Sequence, residues 1–146
     1  MTKYLFICIS NYCRSPVAEK IFNNLNIDNV ISKSAGINDF LAMNMDPRSQ
    51  DYLKTNGIQD TDHQPRKVSY NLLSKSDKIF ALDSFVFLFL KKNFKNQNIK
   101  LINTYDRSFA LYDPFKLKNL DEYNNCLDNV KNCVEIIASR ENPNAN

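Results

Sequence analysis

The chain has 146 residues, 43% of them hydrophobic, and a formal net charge of +3. That length suits one domain with its own core, expected over 1–146, and the scattered basic excess describes a solvated surface with some affinity for anions, which excludes a nucleic-acid stripe. No apolar run approaches the ~18 residues of a membrane span or forms a leader core, so a cytoplasmic protein without nucleic-acid or membrane partners is expected.

Tyr4 to Cys8 is an apolar run that reads as a strand buried on both faces. After a polar turn, Val17, Ala18, Ile21, Phe22 and Leu25 recur at helical spacing, with Pro16 tolerated in the first turn. Val30-Ile31 is a short second strand ending near Ser34-Ala35-Gly36. Asp46-Pro47 reads as an N-cap followed by proline, and Gly57 as the end of that helix. Lys78 to Leu82 is a third strand. The composition of Phe85 to Leu90 favours a strand, but Asp83-Ser84 before it and Lys91-Lys92 after it favour a helix, which is the assignment made. Ile99 to Ile102 is a short fourth strand, and Leu120, Tyr123, Leu127, Val130, Val134 and Ile137 draw the stripe of a long C-terminal helix. Arg140 to Asn146 reads as a frayed polar tail.

Alternating strands and helices imply an α/β domain with a parallel sheet between helical layers. Ligands of such sheets bind at the carboxyl ends of the strands. The loops after the first and fourth strands therefore converge on one edge. The four cysteines, Cys8, Cys13, Cys126 and Cys133, have neither metal-site spacing nor the density of a disulfide framework, and no metal or other cofactor is expected. Cys126 and Cys133, near the stripe of the last helix, read as packing residues.

The first of those loops is Cys8-Ile9-Ser10-Asn11-Tyr12-Cys13-Arg14-Ser15-Pro16. Five residues between Cys and Arg let a loop wrap one tetrahedral anion with inward N–H groups and a helix N-terminus behind it. Arg14 can grip two phosphate oxygens, and the same field favours a thiolate nucleophile at Cys8. Four cysteines make a chance Cys-x5-Arg common, arising in roughly one such sequence in five. The weight rests on context: a strand before, a helix after, Ser-Pro following Arg14, and an acid downstream. Expulsion of a phenolate needs that acid, and Asp113, in a loop fixed by Pro114, is the candidate. Asp-Pro is also ordinary turn chemistry, and at Asp46-Pro47 the helix cap is the better explanation.

Cys8 to Pro16 with Ala18-Glu19 resembles the signature of the low-molecular-weight protein tyrosine phosphatases. The similarity continues through Ser34-Ala35-Gly36, Asp46-Pro47-Arg48, His63, Arg66, Asp77 to Asp83 and Asp113-Pro114-Phe115, in family order over nearly the whole chain. The resemblance implies a four-stranded parallel sheet of order 2-1-3-4 and hydrolysis of phosphotyrosine through a phosphocysteine intermediate. Its partners would be phosphotyrosine proteins, with phosphate and other oxyanions as inhibitors. It implies Cys8, Arg14 and Asp113 as catalytic residues and Ile9 to Ser15 as the phosphate loop. Ser15 would bond the thiolate, Asn11 would hold the loop's strained shape, and Ser34 and His63 would support it. Tyr12, Phe40 and Phe115 would form apolar walls. Cys13 would be a redox partner of Cys8, although on physical grounds it serves equally as a packed loop residue.

Ser10 stands where the family commonly has glycine, which predicts backbone strain there. An arsenate reductase of the same fold needs further relay cysteines, and Asp83 to Phe94 contains none. A non-catalytic phosphate binder would need neither the thiol of Cys8 nor the acid of Asp113. A redox sensor built on Cys8 and Cys13 is compatible with phosphatase activity.

Overall fold

Strand β1 (Thr2–Cys8) feeds two cores at once. Tyr4, Phe6 and Cys8 join one buried cluster and Leu5 and Ile7 the other, so alternate side chains leave opposite faces. Each full burial of such an apolar side chain contributes about 1.5–3 kcal/mol, which is why this run must lie at the centre of a sheet. The computed structural model describes residues 1–95 and 97–145. In chain order, α1 (Ser15–Asn24), β2 (Val30–Gly36), α2 (Pro47–Thr55), α3 (Tyr70–Ser74), β3 (Lys78–Ala81), α4 (Ser84–Asn93), β4 (Ile99–Leu101) and α5 (Leu120–Glu141) follow.

The strands form one parallel sheet in the order β2-β1-β3-β4, the order that the family resemblance implies. α1 and α5 pack on the face that carries Tyr4 and Phe6, and α4 covers the face that carries Leu5 and Ile7. α4 is a helix despite its aromatic content: the Asp83 carboxylate accepts from Val86 N–H at 2.8 Å and lysines close the last turn. α3, capped by Ser69, has only five residues and too little periodicity to be foreseen. Among the described residues, no helix is long and apolar enough to cross a membrane.

The expected tail needs correction at its start. α5 runs through Arg140 to Glu141, and Glu141 accepts hydrogen bonds from Tyr4 Oη at 2.9 Å and Tyr105 Oη at 2.7 Å. Two phenols, Tyr4 on β1 and Tyr105 in the turn after β4, therefore hold the last turn, and Asn146 lies outside the described residues.

The two glycines do different work. Gly57, at φ 81°, ends α2 with its own N–H on Lys54 O and the next N–H on Leu53 O. Gly36 sits in register with Cys8, and a Cβ there would lie 2.7 Å from Asn11 N and 2.8 Å from Ser10 C. Its missing side chain lets the loop after β1 close against β2.

Candidate active site

The loop after β1 runs into the N-terminus of α1 with no side-chain cap on that helix. Among the described residues, the backbone N–H groups of Ile9 to Arg14 donate to no other part of the chain. The loop forms one end of a cavity of about 420 Å³ lined by Cys8, Ile9, Ser10, Tyr12, Cys13, Arg14, Asn38, Phe40, Ala42, Asp113 and Phe115. The first and fourth βα loops thus meet, as the topology requires.

Cys8 Sγ lies 2.9 Å from Ser15 Oγ. Asn11 Nδ2 donates to Ser15 Oγ at 2.8 Å and to Ser34 Oγ at 2.9 Å. Ser15 Oγ accepts there, and its own hydrogen can point either at the Cys8 sulfur at 2.9 Å or at the more distant Ala35 O at 3.4 Å. Ser34 passes its own hydrogen to Glu19 Oε1 at 2.8 Å, and burial raises the pKa of that carboxyl against the pull of the same bond. Asn11 Oδ1 accepts from Arg66 N–H at 3.0 Å and stands 2.9 Å from His63 Nε2. The Arg66 bond fixes which amide atom is oxygen, so Nε2 of His63 carries the proton.

That network explains a correction. Left-handed backbone falls on Asn11, at φ 53°, while Ser10 is not among the positive-φ residues. Asparagine tolerates this region and here locks it with its side chain. Ser10 instead accepts a hydrogen bond from Asn38 Nδ2 at 2.7 Å at the cavity rim.

Arg14 is 2% exposed and pairs with Asp83 at 2.8 Å. Among the described residues, its Nε is buried without a hydrogen-bond partner. Burial works against the charge, but Cys8 and Asp83 outweigh it and raise the pKa. Asp83 was legible only as the α4 cap. Tyr12 packs edge-on against Phe115 with centroids 6.0 Å apart, while Phe40, 88% exposed, stands at the mouth. Asn38 and Ala42 complete the lining; neither carries a motif that singles it out. Asn11, Ser15, Ser34 and His63 lie buried behind the cavity wall. Among the described residues, no cluster of three or more His, Cys, Asp or Glu is placed to hold a metal ion.

His63 supplies a prediction. Burial, reinforced by Lys20 and Arg66, lowers its pKa from 6.5 to about 4. The unfolded chain therefore takes up this proton at a higher pH than the folded protein does. Stability present above pH 6.5 should fall as pH drops toward about 4, with no further loss from this group below that. Urea midpoints measured across this range should decline in the wild type and flatten in His63→Gln, whose amide keeps a donor for Asn11. An equal decline in both proteins removes His63 as the source.

Fold and loop together define a class: a parallel α/β domain that presents a Cys-x5-Arg loop at the switch point of its sheet. Residues 3–142 match the family model described as low molecular weight phosphotyrosine protein phosphatase, and the chain belongs to that family of hydrolases. The low molecular weight protein-tyrosine-phosphatase YfkJ of Bacillus subtilis is 32% identical over 95% of this chain and 96% of its own. The Schizosaccharomyces pombe low molecular weight phosphotyrosine protein phosphatase is 39% identical, over 55% of each chain, so this match spans about half of that relative. The crystal structure of DARP, a Drosophila arginine phosphatase, superposes with a TM-score of 0.86 at 26% identity, covering 96% of this chain and 98% of that one.

Proposed function

We propose that the protein hydrolyses phosphotyrosine through a phosphocysteine intermediate. The observation that carries this reading is the Cys8 thiol beside loop N–H groups and an Arg14 Nε that have no partner among the described residues. The donors bind the three non-bridging oxygens and the guanidinium follows the charge as it spreads in the transition state. Cys8 Sγ attacks phosphorus, the S–P bond forms as the P–O bond breaks, and Asp113 gives its proton to the departing phenol oxygen. Water then attacks the phosphocysteine, Asp113 takes its proton, and the thiolate leaves with the Ser15 hydroxyl stabilising it.

Tyr12, Phe40 and Phe115 favour an aryl ester, since flat apolar walls match a phenyl ring. Wild-type protein in EDTA is expected to hydrolyse para-nitrophenyl phosphate, with inorganic phosphate as a competitive inhibitor. Phosphotyrosine and phosphoarginine peptides compared under the same conditions decide the substrate. Preference for phosphoarginine would replace the proposed substrate and align the chain with the Drosophila protein. Phosphate binding without turnover of any of them would sink the enzyme reading.

A further inference from the structure

Asp113 lies in the long irregular stretch between β4 and α5, and just before it Cys126 Sγ and Asn129 Nδ2 of α5 donate to Tyr112 O at 3.4 Å and Ala110 O at 3.2 Å. Among the described residues, one side chain from elsewhere in the fold holds the backbone just beyond it. Arg48 Nη2 donates to Phe115 O at 3.1 Å and Nη1 donates to Leu117 O at 2.6 Å.

The other end of this bridge is fixed to the phosphate loop. Arg48 Nε and Nη2 grip both oxygens of Asp46, at 3.1 and 2.8 Å. Asp46 in turn donates its backbone N–H to Tyr12 O at 3.0 Å. The guanidinium carbon lies over the Tyr123 ring, 4.0 Å from its centroid, and Tyr123 Oη meets Ser49 Oγ at 2.6 Å. Ser49 Oγ donates to Cys13 O at 2.8 Å, a second tie to the same loop. Burial pushes the Asp46 carboxyl up, yet its bonds from Arg48 hold it below the ordinary range, so the pair stays ionised.

From this bridge we infer that Arg48 is a positioning residue that sets the distance between Asp113 and the phosphate held over Cys8. The inference rests on the reaction proposed above and names what aligns its acid. A planar fork is required, because one side chain must meet a carboxylate and two carbonyls at fixed angles. Asp46-Pro47-Arg48 is thus more than a helix start: the cap and the clamp share one carboxylate.

The test is the dependence of kcat/KM on the leaving group in Arg48→Lys and Arg48→Ala. This constant reports steps up to transfer of the phosphoryl group to Cys8. Phenyl phosphate needs protonation of its leaving oxygen; 2,4-dinitrophenyl phosphate does not. For phenyl phosphate a loss of about 10- to 100-fold is expected, because a displacement of about 1 Å can cost on the order of 100-fold. For the dinitrophenyl ester little change is expected, and inorganic phosphate should bind as it does to wild type. In an Asp113→Ala background, Arg48→Lys should add almost nothing. Arg48→Lys keeps the charge beside Asp46, so it carries the test if Arg48→Ala fails to fold. Equal losses on both esters, or no loss on phenyl phosphate, would overturn the inference while leaving the phosphatase reading intact. Wild-type protein inert on both esters would overturn that reading and this one with it.

Discussion

Cys8→Ser is expected to lose turnover by on the order of ten-thousand-fold or more, the scale on which removal of an essential nucleophile is felt. Serine fits the space and can keep the contact with Ser15, whose Oγ lies 2.9 Å from the native sulfur. A serine hydroxyl at neutral pH stays protonated, and the neighbour it meets is another hydroxyl, not a base. The loop donors and Arg14 remain, so inorganic phosphate should still bind and still raise the melting temperature. The other thiols offer no substitute. Burial raises the pKa of Cys126 and Cys133 to about 12, and Cys13 is pushed up as well. Steady-state assay on para-nitrophenyl phosphate checks the rate, and thermal shift with phosphate checks the cradle. A serine variant that keeps a measurable share of the wild-type rate would exclude Cys8 as nucleophile.

The parts of this site legible in the sequence are those written locally. Cys8 to Arg14 can be read because strand, loop and helix succeed one another without interruption, and a loop that wraps an anion needs only its own backbone. The caps at Asp46 and Asp83 were readable for the same reason. Their second tasks were not. Asp83 meets Arg14 across 69 residues, and Arg48 meets Leu117 O across another 69. Neither residue signals a remote partner, and a backbone carbonyl has no residue identity to read. The strain expected at Ser10 moved to Asn11 because only the folded loop shows which residue turns left-handed and which side chains secure it. Composition misled at the C-terminus, where polar Glu141 is the partner of two phenols.

Asp113→Ala should carry the other large effect, and its size should depend on the ester. A positioned general acid contributes about 100- to 10,000-fold, but only where the leaving oxygen needs a proton. Phosphotyrosine peptides and phenyl phosphate expel poorly stabilised phenolates, so kcat/KM should fall on that scale. For 2,4-dinitrophenyl phosphate the phenolate leaves unaided and the value should stay close to wild type. Local geometry separates Asp113 from the other Asp-Pro aspartate. Asp113 lines the cavity with one oxygen on Phe115 N–H at 3.1 Å, and among the described residues the other has no partner. Both oxygens of Asp46 are taken by Arg48, and Asp46 is absent from the cavity wall. Its side chain is a strut, which leaves Asp113 as the carboxyl to which the proposed mechanism assigns the proton. A uniform loss across both esters would mean instead that Asp113 shapes the cavity, and the proton would have to come from solvent.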